Sequence, residues 1–136
     1  YSVAWDGDVS SEGCSHGNGI AVVPENEDAN FKTQPVEEKD ITQEYRQKQF
    51  NKFIMTDDHL MHLTGIGKDQ EGTRYYLTKN SWNTDSNEYG GFLYMSEPYV
   101  KLNTIAVMVH KDAIPEDIRE KLDLWENNNP EKLHSG

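Results

Sequence analysis

The stretch Asp57–Trp82, DDHLMHLTGIGKDQEGTRYYLTKNSW, constrains the fold of this chain most tightly. It holds two apolar runs, 59–66 and 74–80, joined by a polar turn, GKDQEGT. The first run is dense in apolar side chains and the second in aromatic and β-branched ones, so both read as strands. Two strands separated by a turn of several residues close as an antiparallel hairpin. His59 opens the first strand, and Asn80 ends the second, followed at once by Ser-Trp. The hairpin therefore places a histidine and an asparagine at neighbouring ends of adjacent strands.

Side chains alternate across a strand, so His59 shares a face with Met61 and Leu63, while Leu60, His62 and Thr64 share the other. Read alone, His59 is first of all a surface or hydrogen-bonded histidine. Beside Asn80 it gains a second reading. The amide oxygen of Asn80 can accept a hydrogen bond from one ring nitrogen and fix the tautomer and orientation of the imidazole. The other nitrogen then faces a nucleophile. Trp82 is close enough to cover that hydrogen bond and exclude water, which strengthens it. Read alone, Asn-Ser-Trp is a loop start with a buried tryptophan. Together His59 and Asn80 fit two members of a Cys/His/Asn set. The H-x-x-H pair His59/His62 suggests a metal only weakly: the two point to opposite faces, and no Cys or Glu stands at a useful spacing. No metal and no cofactor is called for.

The third member is harder to find. Cys14 is the only thiol, and the order Cys, His, Asn is that of papain-like peptidases. Its setting, GCSHGNG, is a glycine-rich loop, without the helix start that lowers a thiol pKa and without a Gln or other oxyanion donor just upstream. His16 nearby does not change this. Cys14 is not expected to be the nucleophile.

The remainder of the chain reads around this hairpin. Residues 2–9 are a strand, SSEGCSHGNG is a loop and GIAVVP is a short strand stopped by Pro24. Residues 25–40 form a polar, acidic surface insertion. Thr42 caps a helix over 42–53, with Ile41, Tyr45, Gln49 and Phe53 four apart and Phe50 on the same side. Arg46 on that helix can reach exposed acids on its own face. FLYMS is a strand, EPYVKL a turn or short helix, and NTIAVMVHK a strand with Ile105, Val107 and Val109 on one face. Pro115 opens a last helix, with Glu116 and Asp117 complementing its dipole and Ile118, Leu122 and Trp125 on one side. About six strands and two helices without strand-helix alternation give an α+β class: antiparallel sheet with peripheral helices.

With 136 residues there is room for one domain. We assign 1–125 to that domain, with 25–40 as its insertion, and 126–136 to a polar C-terminal tail. A net charge of -11, from 24 acids against 13 Lys and Arg, disfavours a nucleic-acid partner. No apolar run approaches the roughly 20 residues that span a bilayer. The expectation is a soluble chain without a membrane partner; the compartment stays open, with the cytoplasm as a working choice. The start, YSVAWDGDV, suggests an excerpt or a processed product. Hydrophobic residues are 35%, low for a globular domain, which fits a surface that packs against something else.

DHLMHLTGIG, then YYLTKNSW, then GGFLYMS resembles the C-terminal half of papain-superfamily cysteine peptidases, most of all the bleomycin hydrolase and aminopeptidase C branch. TIAVMVHKDAIPEDI is similar to that branch's closing strand and helix, and the resemblance covers most of 1–124. It implies the sheet-rich right-hand domain of a papain-like fold, facing a helical domain across a cleft. It implies His59 as general base and imidazolium partner of a thiolate, Asn80 as its orienter and Trp82 as the shield of the pair. The reaction implied is peptide-bond hydrolysis through an acyl-thioester, with N-terminal amino acids removed from a peptide substrate. The family's Gln-containing segment and Cys-Trp helix lie on the preceding domain and are not in these residues. The expected partner is therefore that Cys-bearing domain, and the lone chain is expected to be inactive and to self-associate. Asn83 departs from the glycine usual after NSW. The rival reading is a noncatalytic binding or assembly module that keeps the half-fold.

Overall fold

The hairpin foreseen at Asp57–Trp82 lies inside one seven-stranded sheet. The computed structural model describes residues 1–52 and 54–128, with 123–128 described as backbone only. In chain order the elements are β1 (Val3–Gly7), β2 (Cys14–Ser15), β3 (Ile20–Ala21), α1 (Gln43–Asn51), β4 (His59–Lys68), β5 (Arg74–Asn80) and β6 (Phe92–Ser96). Then follow α2 (Glu97–Asn103), β7 (Thr104–Val109), a 3-10 turn at Lys111–Ala113 and α3 (Glu116–Asn128). The strands lie in the order β2-β3-β6-β5-β4-β1-β7. The class is α+β.

The turn between β4 and β5 has a local cause. The Asp69 carboxylate accepts from the backbone N–H groups of Glu71 and Thr73, and Gly72 takes the left-handed φ of 86° that the reversal requires. Along the ladder Met61 stands opposite Asn80 and Leu63 opposite Thr78. The register then slips, Thr64 is left over as a bulge, and Gly65 meets Leu77.

One face of the sheet carries the core: Trp5, Ala21, Met61, Leu93 and Met95, closed by Tyr99 from α2. Trp5 is fully buried and still satisfied, because its indole N–H donates to Thr104 Oγ1 at 2.7 Å. Tyr99 donates to the Asp8 carbonyl at 2.8 Å. The buried Asp8 carboxylate accepts from Ser10 and from the Thr56 N–H, and Asp58 accepts from the Val9 N–H. These bonds tie the end of β1 to the residues that lead into His59.

Several expectations need correction. The sheet is antiparallel except at β3–β6, which pair parallel over Ile20–Tyr94 and Ala21–Met95. The glycine-rich segment is not wholly loop, since Cys14 and Ser15 pair with Ala21 and Ile20. EPYVKL, read as a turn or short helix, is the helix, capped by Ser96 and with Pro98 in its first turn. With α1 and α3 that makes three α-helices among the described residues, one more than expected. Thr42 does cap α1, accepting from the Tyr45 N–H at 3.0 Å, but the helix runs 43–51 and Phe53 lies outside the described residues. No residue of α1 is buried, and Phe50 is half exposed. Among the described residues Arg46 pairs with no acid: its guanidinium donates to the Thr104 carbonyl, which docks α1 on β7. The insertion 25–40 is fastened at its ends by Pro24–Glu38 bridging and by the Glu38 carboxylate, which accepts from the Val23 N–H and Ser96 Oγ. Of the tail, residues 126–128 continue α3; 129–136 and the side chain of Trp125 lie outside the described residues.

Candidate active site

Strand register sets the site. Because Met61 is opposite Asn80, His59 lies two residues earlier, at the start of β4, diagonal to Asn80 and on the same face. Diagonal neighbours are within reach of long side chains, and here they meet: His59 Nε2 stands 2.6 Å from Asn80 Oδ1. An amide oxygen only accepts, so His59 carries its proton on Nε2 and donates it. His59 Nδ1 makes no hydrogen bond among the described residues and is available to take a proton. Ser81 Oγ is a longer second neighbour of Nε2, at 3.4 Å.

Asn80 is 3% exposed and its amide is held from several sides. Its backbone N–H donates to Gly91 and its carbonyl accepts from Lys79 Nζ at 2.7 Å. Lys79 also donates to the Trp82 carbonyl at 3.0 Å, so one ammonium fixes the chain on both sides of Ser81. Gly91 is required here. It has φ of 80°, and a Cβ would come within 2.7 Å of Lys79 Nζ and 3.0 Å of the Asn83 carbonyl.

Trp82 holds its ring 5.2 Å from that of His59, tilted by 54°, and edge-on at 4.6 Å from His16. It is 48% exposed, so it covers the pair from one side and leaves its own outer face to solvent. Asn83 starts the turn that follows, its carbonyl accepting from the Ser86 N–H at 3.0 Å.

The structure thus brings together His59, Asn80 and Trp82. It adds one residue to which sequence reasoning gave no role. His16, on the loop after β2, places Nδ1 3.2 Å from Asn80 Nδ2 and Nε2 2.8 Å from Ser86 Oγ. Its 64-residue separation from Asn80 hides this in the sequence, where only a histidine in a glycine-rich loop is visible. Desolvation holds His16 below the usual histidine range, helped by the charges of Lys79 and His59.

Cys14 is elsewhere. It sits partly buried against the core, and burial pushes its thiol up, the direction opposite to that of a poised nucleophile. His62 points away from His59 on β4, and among the described residues no three His, Cys, Asp or Glu gather as ion ligands. No helix among them is long and apolar enough to cross a membrane.

The geometry of a histidine oriented by a buried asparagine under a tryptophan can be set beside known proteins. The fold is similar to that of PepW from Lactobacillus rhamnosis HN001, with a TM-score of 0.61 at 21% identity, covering 93% of this chain and 26% of that one. Aminopeptidase G of Lactobacillus delbrueckii subsp. lactis is 36% identical over 64 residues, 47% of this chain and 14% of that protein. The chain therefore spans about a seventh of the length of the curated relative and about a quarter of the solved one. Residues 27–135, which include His59, Asn80 and Trp82, match the Peptidase C1-like family, and on that match the chain belongs to this family of peptidases.

Proposed function

We propose that this chain supplies the His/Asn half of a Cys/His/Asn site in a cysteine aminopeptidase of the bleomycin hydrolase type. The observation that carries the reading is the 2.6 Å contact from His59 Nε2 to the buried Asn80 amide oxygen. It leaves Nδ1 as the free base. In the complete site that nitrogen takes the proton of a thiol on a separate Cys-bearing domain, and the thiolate attacks the peptide carbonyl. The imidazolium then protonates the leaving amine, and water, deprotonated by the same nitrogen, releases the acyl group. Asn80 holds the ring throughout, and its oxygen stabilises the imidazolium as the N–H bond becomes charge-assisted.

With Cys14 packed against the core, these residues alone hold a base and its orienter but no activated nucleophile. An exposed apolar strip supports a partner surface. Leu60 and Met108 lie on the face of the sheet away from Trp5 and Met61 and are each more than 60% exposed. We assign that strip to self-association of the isolated chain. A noncatalytic assembly module is the competing reading, favoured by Asn83 where relatives usually carry glycine.

The test is an assay of the 136-residue chain and of the product of its whole reading frame on aminoacyl fluorogenic substrates. The expected result is no turnover by the chain alone and thiol-dependent turnover by the longer product. Turnover by the chain alone that His59→Ala abolishes would overturn the half-site reading. A longer product with no cysteine near an upstream helix start, and no activity, would favour the module.

A further inference from the structure

We propose that His16 is a positioning residue: it accepts a hydrogen bond from the Asn80 amide and so fixes which end of that amide faces His59. This deepens the reading of His59 and Asn80 as a catalytic pair and rests on it for its function, although not for its geometry.

An asparagine amide is nearly symmetric in shape, and either its oxygen or its nitrogen can face a neighbour. If the nitrogen faced His59, it would donate to Nε2. The ring would then keep its proton on Nδ1, the wrong tautomer for a base that must accept there. The oxygen of Asn80 must therefore be selected, and the selection has to come from whatever the other end of the amide touches. That neighbour is His16 Nδ1, 3.2 Å from Asn80 Nδ2.

Three contacts then form one directed chain. Ser86 Oγ lies 2.8 Å from His16 Nε2, and a hydroxyl there accepts the Nε2–H. With its proton on Nε2, His16 presents a bare Nδ1, which can only accept. Asn80 Nδ2 donates to it, so Asn80 Oδ1 faces the other way and accepts from His59 Nε2 at 2.6 Å. Every bond points in the same sense, an arrangement in which each strengthens the next.

His16 is itself held to this task. Its carbonyl accepts from Asn87 Nδ2 at 2.8 Å and from the Gly19 N–H at 3.0 Å, while its ring lies edge-on to Trp82 at 4.6 Å. Asn87 in turn accepts from the N–H groups of Tyr89 and Gly91. The loop after Asn83 is thereby folded onto His16. The charged and titratable groups facing the His16 ring are Lys79 and His59, and both oppose its protonation, as does burial. A protonated His16 would have no bare Nδ1 and would turn the amide over.

The test reads tautomers directly, by long-range proton–nitrogen correlation of the histidine rings in the 136-residue chain above pH 7. In the wild type the expected state is Nε2–H for both His16 and His59. His16 found as the Nδ1–H tautomer would overturn the proposal without any variant. In His16→Phe, which keeps a ring on Trp82 but no acceptor, the Nδ1–H population of His59 should rise about fivefold, a change on the scale of one lost hydrogen bond. His16→Gln, whose amide oxygen can accept, should restore most of the wild-type ratio. If His16→Phe does not fold, Ser86→Ala should move the ratio in the same direction by freeing His16 to adopt either tautomer. An unchanged His59 ratio in the folded variant would overturn the proposal. A correct tautomer response in a protein whose longer product proves inactive would leave this inference standing and remove the catalytic reading instead.

Discussion

His59 and Asn80 meet diagonally across β4 and β5, 2.6 Å apart, because Met61 rather than His59 is the residue directly opposite Asn80. A one-residue slip of this ladder would put the two on opposite faces of the sheet and abolish the contact. The hairpin register is thus a condition for the site, and the Thr64 bulge lies on the turn side of it, where it does not disturb the pairing of Met61 with Asn80.

Asn80 is buried and engaged at both ends of its amide, so its loss should be felt by the fold as well as by the site. Asn80→Ala removes the partner of two histidine nitrogens at once. We expect a loss of about 1–3 kcal/mol in unfolding free energy, the range for a buried polar group left unsatisfied. Urea unfolding of the chain measures it, and a midpoint equal to wild type would contradict the network.

Glu38 gives the fold a pH dependence of known sign. Burial holds its carboxyl above the ordinary 4.5, while hydrogen bonds from Ser96 and Val23 oppose the rise. A raised acid binds its proton more tightly folded than unfolded. Its contribution is therefore fully present below about pH 4.5 and is lost as pH rises through the folded value. Glu38→Gln keeps an acceptor oxygen and removes the titration. The variant should gain melting temperature relative to wild type as pH rises above 4.5. Parallel melting curves over that window would contradict the burial of this carboxylate.

Cys14 should behave as an inert thiol. Packed against the core with its pKa pushed up by burial, it should alkylate with iodoacetamide at least about tenfold more slowly in the folded chain than in urea. Faster reaction in the folded chain would make it a candidate nucleophile after all.

The hairpin, the cap at Thr42 and the His59/Asn80 pairing were legible because each rests on local pattern: period-two alternation, a cap residue before a helical run, and a strand end on each side of one turn. What stayed hidden depends on distant partners. The two-residue strands β2 and β3 are too short to show a period, and the parallel pairing of β3 with β6 joins Ile20 to Tyr94. The sequence offers Arg46 acids on its own helix face, yet its acceptor is the carbonyl of Thr104, and no side-chain pattern reports an open backbone carbonyl. His16 was invisible as a site residue for the same reason: nothing near it in the chain points to Asn80.

The roles proposed for this pair are those of a base, His59, and its orienter, Asn80. The most direct measurement is steady-state kinetics of the whole reading-frame product on an aminoacyl substrate, comparing wild type with His59→Ala and Asn80→Ala. We predict that His59→Ala abolishes measurable turnover. Asn80→Ala should lower kcat by about ten- to a hundredfold with KM little changed, as expected for an interaction that matters in the transition state. Turnover within twofold of wild type in both variants would contradict the assignment of this pair.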